Sequence, residues 1–261
     1  MFGIIPRPLW ERTNPPDERN RIRLALRPLL IRTGTANVLV DTGIGDKWDE
    51  KSRDIYRIEK TATLADSLAR LGLAPEDITH VVLTHLHFDH AGGTTGLDPR
   101  NQPRPCFPRA RHFVQAVEWE DATHPNRRTR GAYLPENFLP LEQAGLLELV
   151  TGTQELLPGV ELLHAGGHTR GLMLVRIRAE GRTAIYWSDL IPTTSHIATP
   201  YIMGYDLFPL QTMEQKERLI DQACDEGWLS FFAHDPLHAG GRITRRDDSF
   251  GIEPFSFRNG D

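Results

Sequence analysis

The sequence predicts an α/β protein. Short apolar runs bounded by turn residues recur in both halves of the chain, and two segments between them carry helix-start and helix-stop signals. With 39% hydrophobic and 25% charged residues in 261, the chain can bury a sizeable core and is not compositionally disordered. Thirty Lys and Arg against 35 Asp and Glu leave a net charge of −5, so the chain as a whole offers no electrostatic footprint for nucleic acid. No apolar run approaches the ~18 residues of a membrane span. The start, MFGIIPRPLWER, lacks a signal-peptide core and cleavage site. Two cysteines, Cys106 and Cys224, make no disulfide framework. The expectation is one cytoplasmic domain over 1–261, with 1–21 as an irregular arm rich in proline and charge.

The elements follow in order. Residues 22–33 (IRLALRPLLIRT) and 36–43 (ANVLVDTG) read as two strands joined by a turn at Gly34. The polar stretch 46–59 is a surface loop or short helix. Thr63 and Asp66 form a capping box ahead of Leu64, Leu68 and Leu71, and Gly72 ends that helix. THVVLTH (79–85) is a buried strand and HFVQA (112–116) another. An aromatic and arginine-containing segment, 117–140, follows. LLELVTG, VELLHA, LMLVRIRA and RTAIYWSD are strands, the last two joined by a hairpin at Gly181 and Arg182. Thr212 and Gln215 cap a helix that runs to about Glu226 and stops at Gly227. WLSFFAHD (228–235) is again a buried strand.

The chemistry concentrates in Thr84-His85-Leu86-His87-Phe88-Asp89-His90-Ala91-Gly92-Gly93, directly after an apolar strand. His85 and His87 lie two apart, so on extended backbone they project to one side. Asp89 and His90 follow where the chain turns, and Gly92 and Gly93 let the backbone pass closely. Imidazole with carboxylate is a zinc ligand set, also acceptable to iron, manganese or cobalt. Three distant residues, His168, Asp189 and His234, also end apolar strands. Together these are five histidines and two aspartates, enough for two divalent ions.

The order HxHxDH, GGH, SD and a final strand-end His, with the Asp41-Thr42-Gly43 turn before them, resembles the metallo-β-lactamase superfamily from about residue 22 to 240. The resemblance implies an αβ/βα sandwich, two mixed sheets flanked by helices. It implies His85, His87 and His168 on one metal, Asp89, His90 and His234 on the second, Asp189 bridging, and Asp41 in a supporting role. Asp89 would be the catalytic acid/base. True β-lactamases commonly carry Cys at the bridging place, which argues against β-lactam hydrolysis.

The segment SDLIPTTSHIATPYIMGYDLFPL and the motif HLHFDHAGG resemble YtnP-type lactonases and the N-acyl-homoserine lactonases. The implied reaction is opening of a homoserine lactone ring (quorum quenching) with two divalent ions, zinc first and manganese, cobalt or iron as alternatives. Pro192 stands where those lactonases often have a Tyr, so Tyr201 or Tyr205 is the candidate to hold the substrate carbonyl. Phe88, Tyr201, Tyr205 and Phe208 are the candidate substrate contacts. Trp119, Tyr133, Phe138, Ile197, Ile202 and Met203 either join them or cover the core. His80, His112, His124, His164, His196 and His238 receive no role.

The alternatives are a phosphotriesterase of the methyl parathion hydrolase type or another ester or thioester hydrolase. Glyoxalase-II-type thioesterases carry a C-terminal extension, and about 27 residues follow His234 here. The basic run Asn126-Arg127-Arg128-Thr129-Arg130 reads as a solvated face, not an RNA arm. The expected partner is a small lactone or ester, with no nucleic acid or membrane, and a homodimer is possible as in related lactonases.

Overall fold

Pro28 divides the apolar stretch 22–33, because a proline cannot donate to a strand ladder. Only Leu29–Arg32 forms strand β1 in the computed structural model, which describes residues 1–59, 62–247 and 249–255. Ahead of it lies α1 (Arg7–Trp10), one turn opened by prolines within an otherwise irregular arm. The chain divides into two compact units, one of residues 28–151 and one of residues 1–27 with 152 onward.

In the 28–151 unit, β1 pairs antiparallel with β2 (Asn37–Val40). The remaining partners are parallel: β2 with β3 (His80–Val82), β3 with β6 (Arg111–Gln115), and β6 with β7 (Leu147–Val150), giving the order β1-β2-β3-β6-β7. Parallel neighbours need crossovers. The first is α2 (Glu50–Tyr56) and α3 (Leu64–Arg70). The second carries α4 (Phe88–Ala91) and the ribbon of β4 (Thr95–Leu97) and β5 (Pro103–Pro105). The third is α5 (Ala116–Thr123) and α6 (Leu139–Gln143).

The capping box of Thr63 and Asp66 forms as expected, and Leu68 turns into the core while Leu71 is exposed. Strand β3 is the centre of the sheet, and Val81 and Val82 are fully buried, as a strand covered on both faces should be. Trp119, Tyr133 and Phe138 pack in or against this core.

The other unit holds β8 (Gln154–Leu157), β9 (Val160–His164), β10 (Met173–Ala179), β11 (Arg182–Tyr186), β12 (Leu229–Phe231), β13 (Gly240–Arg246) and β14 (Ser249–Pro254). They form one sheet in the order β14-β13-β12-β11-β10-β9-β8. Only β11 and β12 pair in parallel, so this sheet too is mixed. Glu180 and Gly181 both have positive φ, the condition for the tight β10–β11 hairpin.

The parallel pair is bridged by α7 (Pro209–Asp225), which buries Thr212, Lys216, Leu219, Ile220 and Ala223. The helix starts three residues before the expected Thr212 cap, because Pro209 suits the first helical position, and Thr212 bonds back to Phe208 O inside it. Gly227, at positive φ, follows its end. Leu174, Ile185, Trp187, Leu219 and Trp228 are part of the core on this sheet. Among the described residues no helix is long and apolar enough to cross a membrane.

Candidate metal centre

Strand β3 runs directly into the histidine motif. Leu83, Thr84 and His85 are fully buried, and His87 precedes the first residue of α4. The Asp41-Thr42-Gly43 turn, with Asp41 at φ +57, holds this stretch in place. One Asp41 oxygen accepts from Thr84 N and Thr84 Oγ1, both at 2.9 Å, and the other faces His90 Nδ1 at 2.8 Å. Thr42 N and Oγ1 both donate to His90 O at 2.8 Å. Lys47 donates to Gly92 O and Thr95 O at 2.6 Å, and burial lowers its pKa against the charges of Cys106 and Glu136. A side chain on Gly92 would overlap Ile44 O, and one on Gly93 would overlap Thr42 O, so the close approach requires both glycines.

Glu118, on α5, is the support that sequence reasoning misses. Fully buried, it accepts from Leu86 N at 3.0 Å and from Tyr133 OH at 2.9 Å. It therefore fixes the backbone between His85 and His87, and the Tyr133 ring lies 5.1 Å from that of His87. A carboxylate inside the apolar run HFVQAVEW is the only sequence signal of it. Glu118→Ala leaves two buried donors without their acceptor. The expected loss is about 3 kcal/mol, read from urea denaturation of metal-free protein. A loss below about 1 kcal/mol would mean the loop does not depend on this carboxylate.

The imidazoles of His85 and His87 stand 4.6 Å apart and those of His85 and His90 4.1 Å apart. Asp89 Oδ2 lies 3.9 Å from His90 Nε2. The Thr84 hydroxyl gives its proton to Asp41, so it accepts from His85 Nδ1 at 3.2 Å. With Nδ1 of both His85 and His90 donating, the neutral form of each ring has its lone pair on Nε2.

In the other unit Asp189 follows β11 and is the meeting point of two histidines. His168 Nε2 is 3.3 Å from one of its oxygens and His234 Nε2 2.9 Å from the other. His168 Nδ1 is held by Asp206 at 2.8 Å, and His234 Nδ1 by Ala25 O at 2.9 Å. A carbonyl oxygen only accepts, so His234 Nδ1 carries a proton, and in the neutral ring the Nε2 that faces the carboxylate would hold the lone pair. His168 repeats this pattern against Asp206. In the neutral rings two lone pairs would face opposite oxygens of one carboxylate, an arrangement that a divalent cation shared between them would stabilise. Donors sharing one tetrahedral zinc stand ~3.3–3.5 Å apart, a spacing close to these. The donor set and its outer partners thus fit divalent metal.

Gly167, at φ +94, precedes His168 and touches the first turn of α7, where a side chain would collide with Thr212. Asp235 accepts from Thr194 N at 2.8 Å and from Leu237 N and His238 N, while His234 N donates to Pro192 O at 2.9 Å. Burial alone would raise the Asp235 pKa, but these bonds hold it below the usual carboxylate range. The sequence singles out neither Asp206, which lies in no apolar run, nor Asp235, which ends the run WLSFFAHD beside His234.

Of the expected substrate contacts, Phe88 joins Trp48 and Tyr56, each ring 5.2 Å from it, in a cluster that the sequence did not suggest. Tyr205 is about half exposed and meets the His168 ring edge-on at 6.2 Å. Phe208 is exposed at the start of α7, and Tyr201 packs edge-on against Phe2. Ile197, Ile202 and Met203 are buried.

The family model for the metallo-β-lactamase superfamily matches residues 28–234. The chain belongs to this superfamily. Its fold is the metallo-β-lactamase fold, and the protein is a hydrolase of that superfamily. An N-acyl homoserine lactonase from Bacillus thuringiensis is 27% identical over 212 residues, 80% of this chain and 76% of that one. One from a Bacillus species is 31% identical over 154 residues, and this match spans only about half (54%) of that protein and 59% of this chain. Among solved structures, a probable metal-dependent hydrolase from Staphylococcus aureus is 31% identical with a TM-score of 0.88, covering 98% of this chain and 92% of that one. AidC, a dizinc quorum-quenching lactonase bound to its product N-hexanoyl-L-homoserine, is 25% identical with a TM-score of 0.74, covering 90% and 81%.

Proposed function

We propose that the protein is a lactonase that opens the ring of N-acyl-homoserine lactones. The ligands to two divalent ions, zinc first, would be His85, His87, Asp89, His90, His168, Asp189 and His234. The observation that carries this reading is the orientation of the histidines. Each of His85, His90, His168 and His234 has its Nδ1 engaged by an oxygen of the protein, so that its Nε2 is the nitrogen left to a metal, and two of these Nε2 atoms meet one carboxylate. When bound, such ions lower the pKa of water from about 15.7 towards 7 and polarise a carbonyl.

The chain's own residues do the rest. Asp89 takes the proton of the attacking water and delivers it to the leaving ring oxygen. Tyr205, whose ring meets His168 and whose hydroxyl contacts Met1 Sδ, would on this reading turn that hydroxyl to the substrate carbonyl. Phe88, with Trp48 and Tyr56, offers an apolar wall to an acyl chain. The lactonases among the relatives and structures support this substrate class over other esters. On the same reading one domain does this work in the cytoplasm, on a small-molecule substrate.

Medium and long acyl chains are expected to be opened faster than short ones. Each CH2 moved out of water contributes ~0.8 kcal/mol at most, so four add up to ~3 kcal/mol before chain ordering is subtracted. The measurement is kcat/KM for four-, eight- and twelve-carbon chains, with methyl parathion in the same series. A flat profile removes the acyl wall. Methyl parathion outrunning every lactone moves the assignment to phosphotriester hydrolysis.

A further inference from the structure

Lys216 occupies a position on α7 where the buried stripe Thr212, Leu219, Ile220 and Ala223 calls for an apolar side chain. It is fully buried. An ammonium in such a place costs several kcal/mol unless its protons are matched. They are matched by backbone alone: Nζ donates to Ala198 O at 2.8 Å, Tyr201 O at 2.9 Å and Thr199 O at 3.3 Å. Three donors thus meet three carbonyls of one irregular stretch.

That stretch leads to the support of His168. Asp206 lies five residues beyond Tyr201. One of its oxygens accepts from Met203 N at 3.2 Å, and the other holds His168 Nδ1 at 2.8 Å. Leu207 N and Phe208 N then donate to His168 O and Gly167 O. Between Ile197 and α7 no strand or helix holds this stretch, so the tie from Lys216 fixes its upstream end as Asp206 fixes its downstream end.

We propose that Lys216 is a positioning residue for the metal centre, tethering residues 198–201 so that Asp206 stays against His168. The inference rests on the reading of His168 as a metal ligand. Outer partners of metal-bound histidines typically set 10- to 100-fold in metal affinity, and a residue that places such a partner acts through it. The coupling must also run in reverse. If the tether favours metal, bound metal must favour the tethered stretch.

The test uses Lys216→Met, which keeps chain length and removes the donors. Zinc and cobalt affinities of the whole protein are measured by competition with a chromophoric chelator, well below the melting temperature. The expected result is an affinity about tenfold or more below the parent's in a folded protein. Lowered thermal stability with parental affinity would overturn the proposal. Should Lys216→Met not fold, amide exchange of the parent decides: zinc loading should raise protection across residues 198–208, and unchanged protection there refutes the tether. A parent that binds no zinc or cobalt at all refutes the metal reading itself and this inference with it. Parental binding with an indifferent Lys216 refutes this inference alone.

Discussion

Replacing His234 with alanine is expected to lower kcat/KM for a homoserine lactone by at least ~10³-fold, about 4 kcal/mol of barrier. His85→Ala should do the same. In a dinuclear site both ions clamp one displacement, so losing a ligand to either disables the whole. His234 has a further role in Asp189, whose one oxygen it faces at 2.9 Å while His168 faces the other at 3.3 Å. Without His234 that oxygen loses the imidazole nitrogen that faces it at 2.9 Å. Bound metal should fall from about two equivalents towards one, as elemental analysis of gently purified protein would show. His124, exposed at the end of α5, serves as control, and His124→Ala should keep full activity. Full activity with unchanged metal in His234→Ala would sink the ligand assignment.

What could be read from the residues alone follows a physical divide. His85, His87, Asp89 and His90 are legible because they are contiguous, and His168, Asp189 and His234 because each ends an apolar run. The residues that orient them are not legible. Asp41 was suggested only by resemblance. Glu118, Asp206, Asp235 and Lys216 act through tertiary bonds to segments 15–41 residues away, which no local pattern records.

The elements show the same divide. Strands β3, β6, β10 and β11 follow their apolar runs, but β8, β13 and β14 are short or charged and take their strand form from their neighbours in the sheet. Helix α5 has no side-chain cap and no strong apolar stripe, and the sequence therefore assigns no element to 117–140. Trp48 and Tyr56 belong to a polar stretch whose aromatic face appears only once their two rings, in contact with each other, meet Phe88.

Asp89 is asked to fill two roles, and Asp89→Asn separates them. The side chain sits in the first turn of α4, about one-quarter exposed, with Oδ2 3.9 Å from His90 Nε2. It is thus both beside the proposed centre and open to water. An amide of the same shape keeps an oxygen donor but carries no charge and accepts no proton at neutral pH. A general acid/base contributes typically 10²- to 10⁴-fold, so kcat should fall by about that factor while KM stays within a few-fold. Metal content decides what such a fall means. With about two equivalents retained, the lost factor belongs to proton transfer, because binding and positioning are intact. With one equivalent lost, Asp89 is first a ligand, and the fall repeats that of His234→Ala. The proton role also predicts a dependence on the leaving group. An ester of a phenol leaves without protonation, whereas the ring oxygen of a lactone needs the proton. Asp89→Asn should therefore lose less on an aryl ester than on a homoserine lactone, whereas a ligand defect would slow both equally. Equal losses on the two substrates, with metal retained, would remove Asp89 from the protonation of the leaving oxygen.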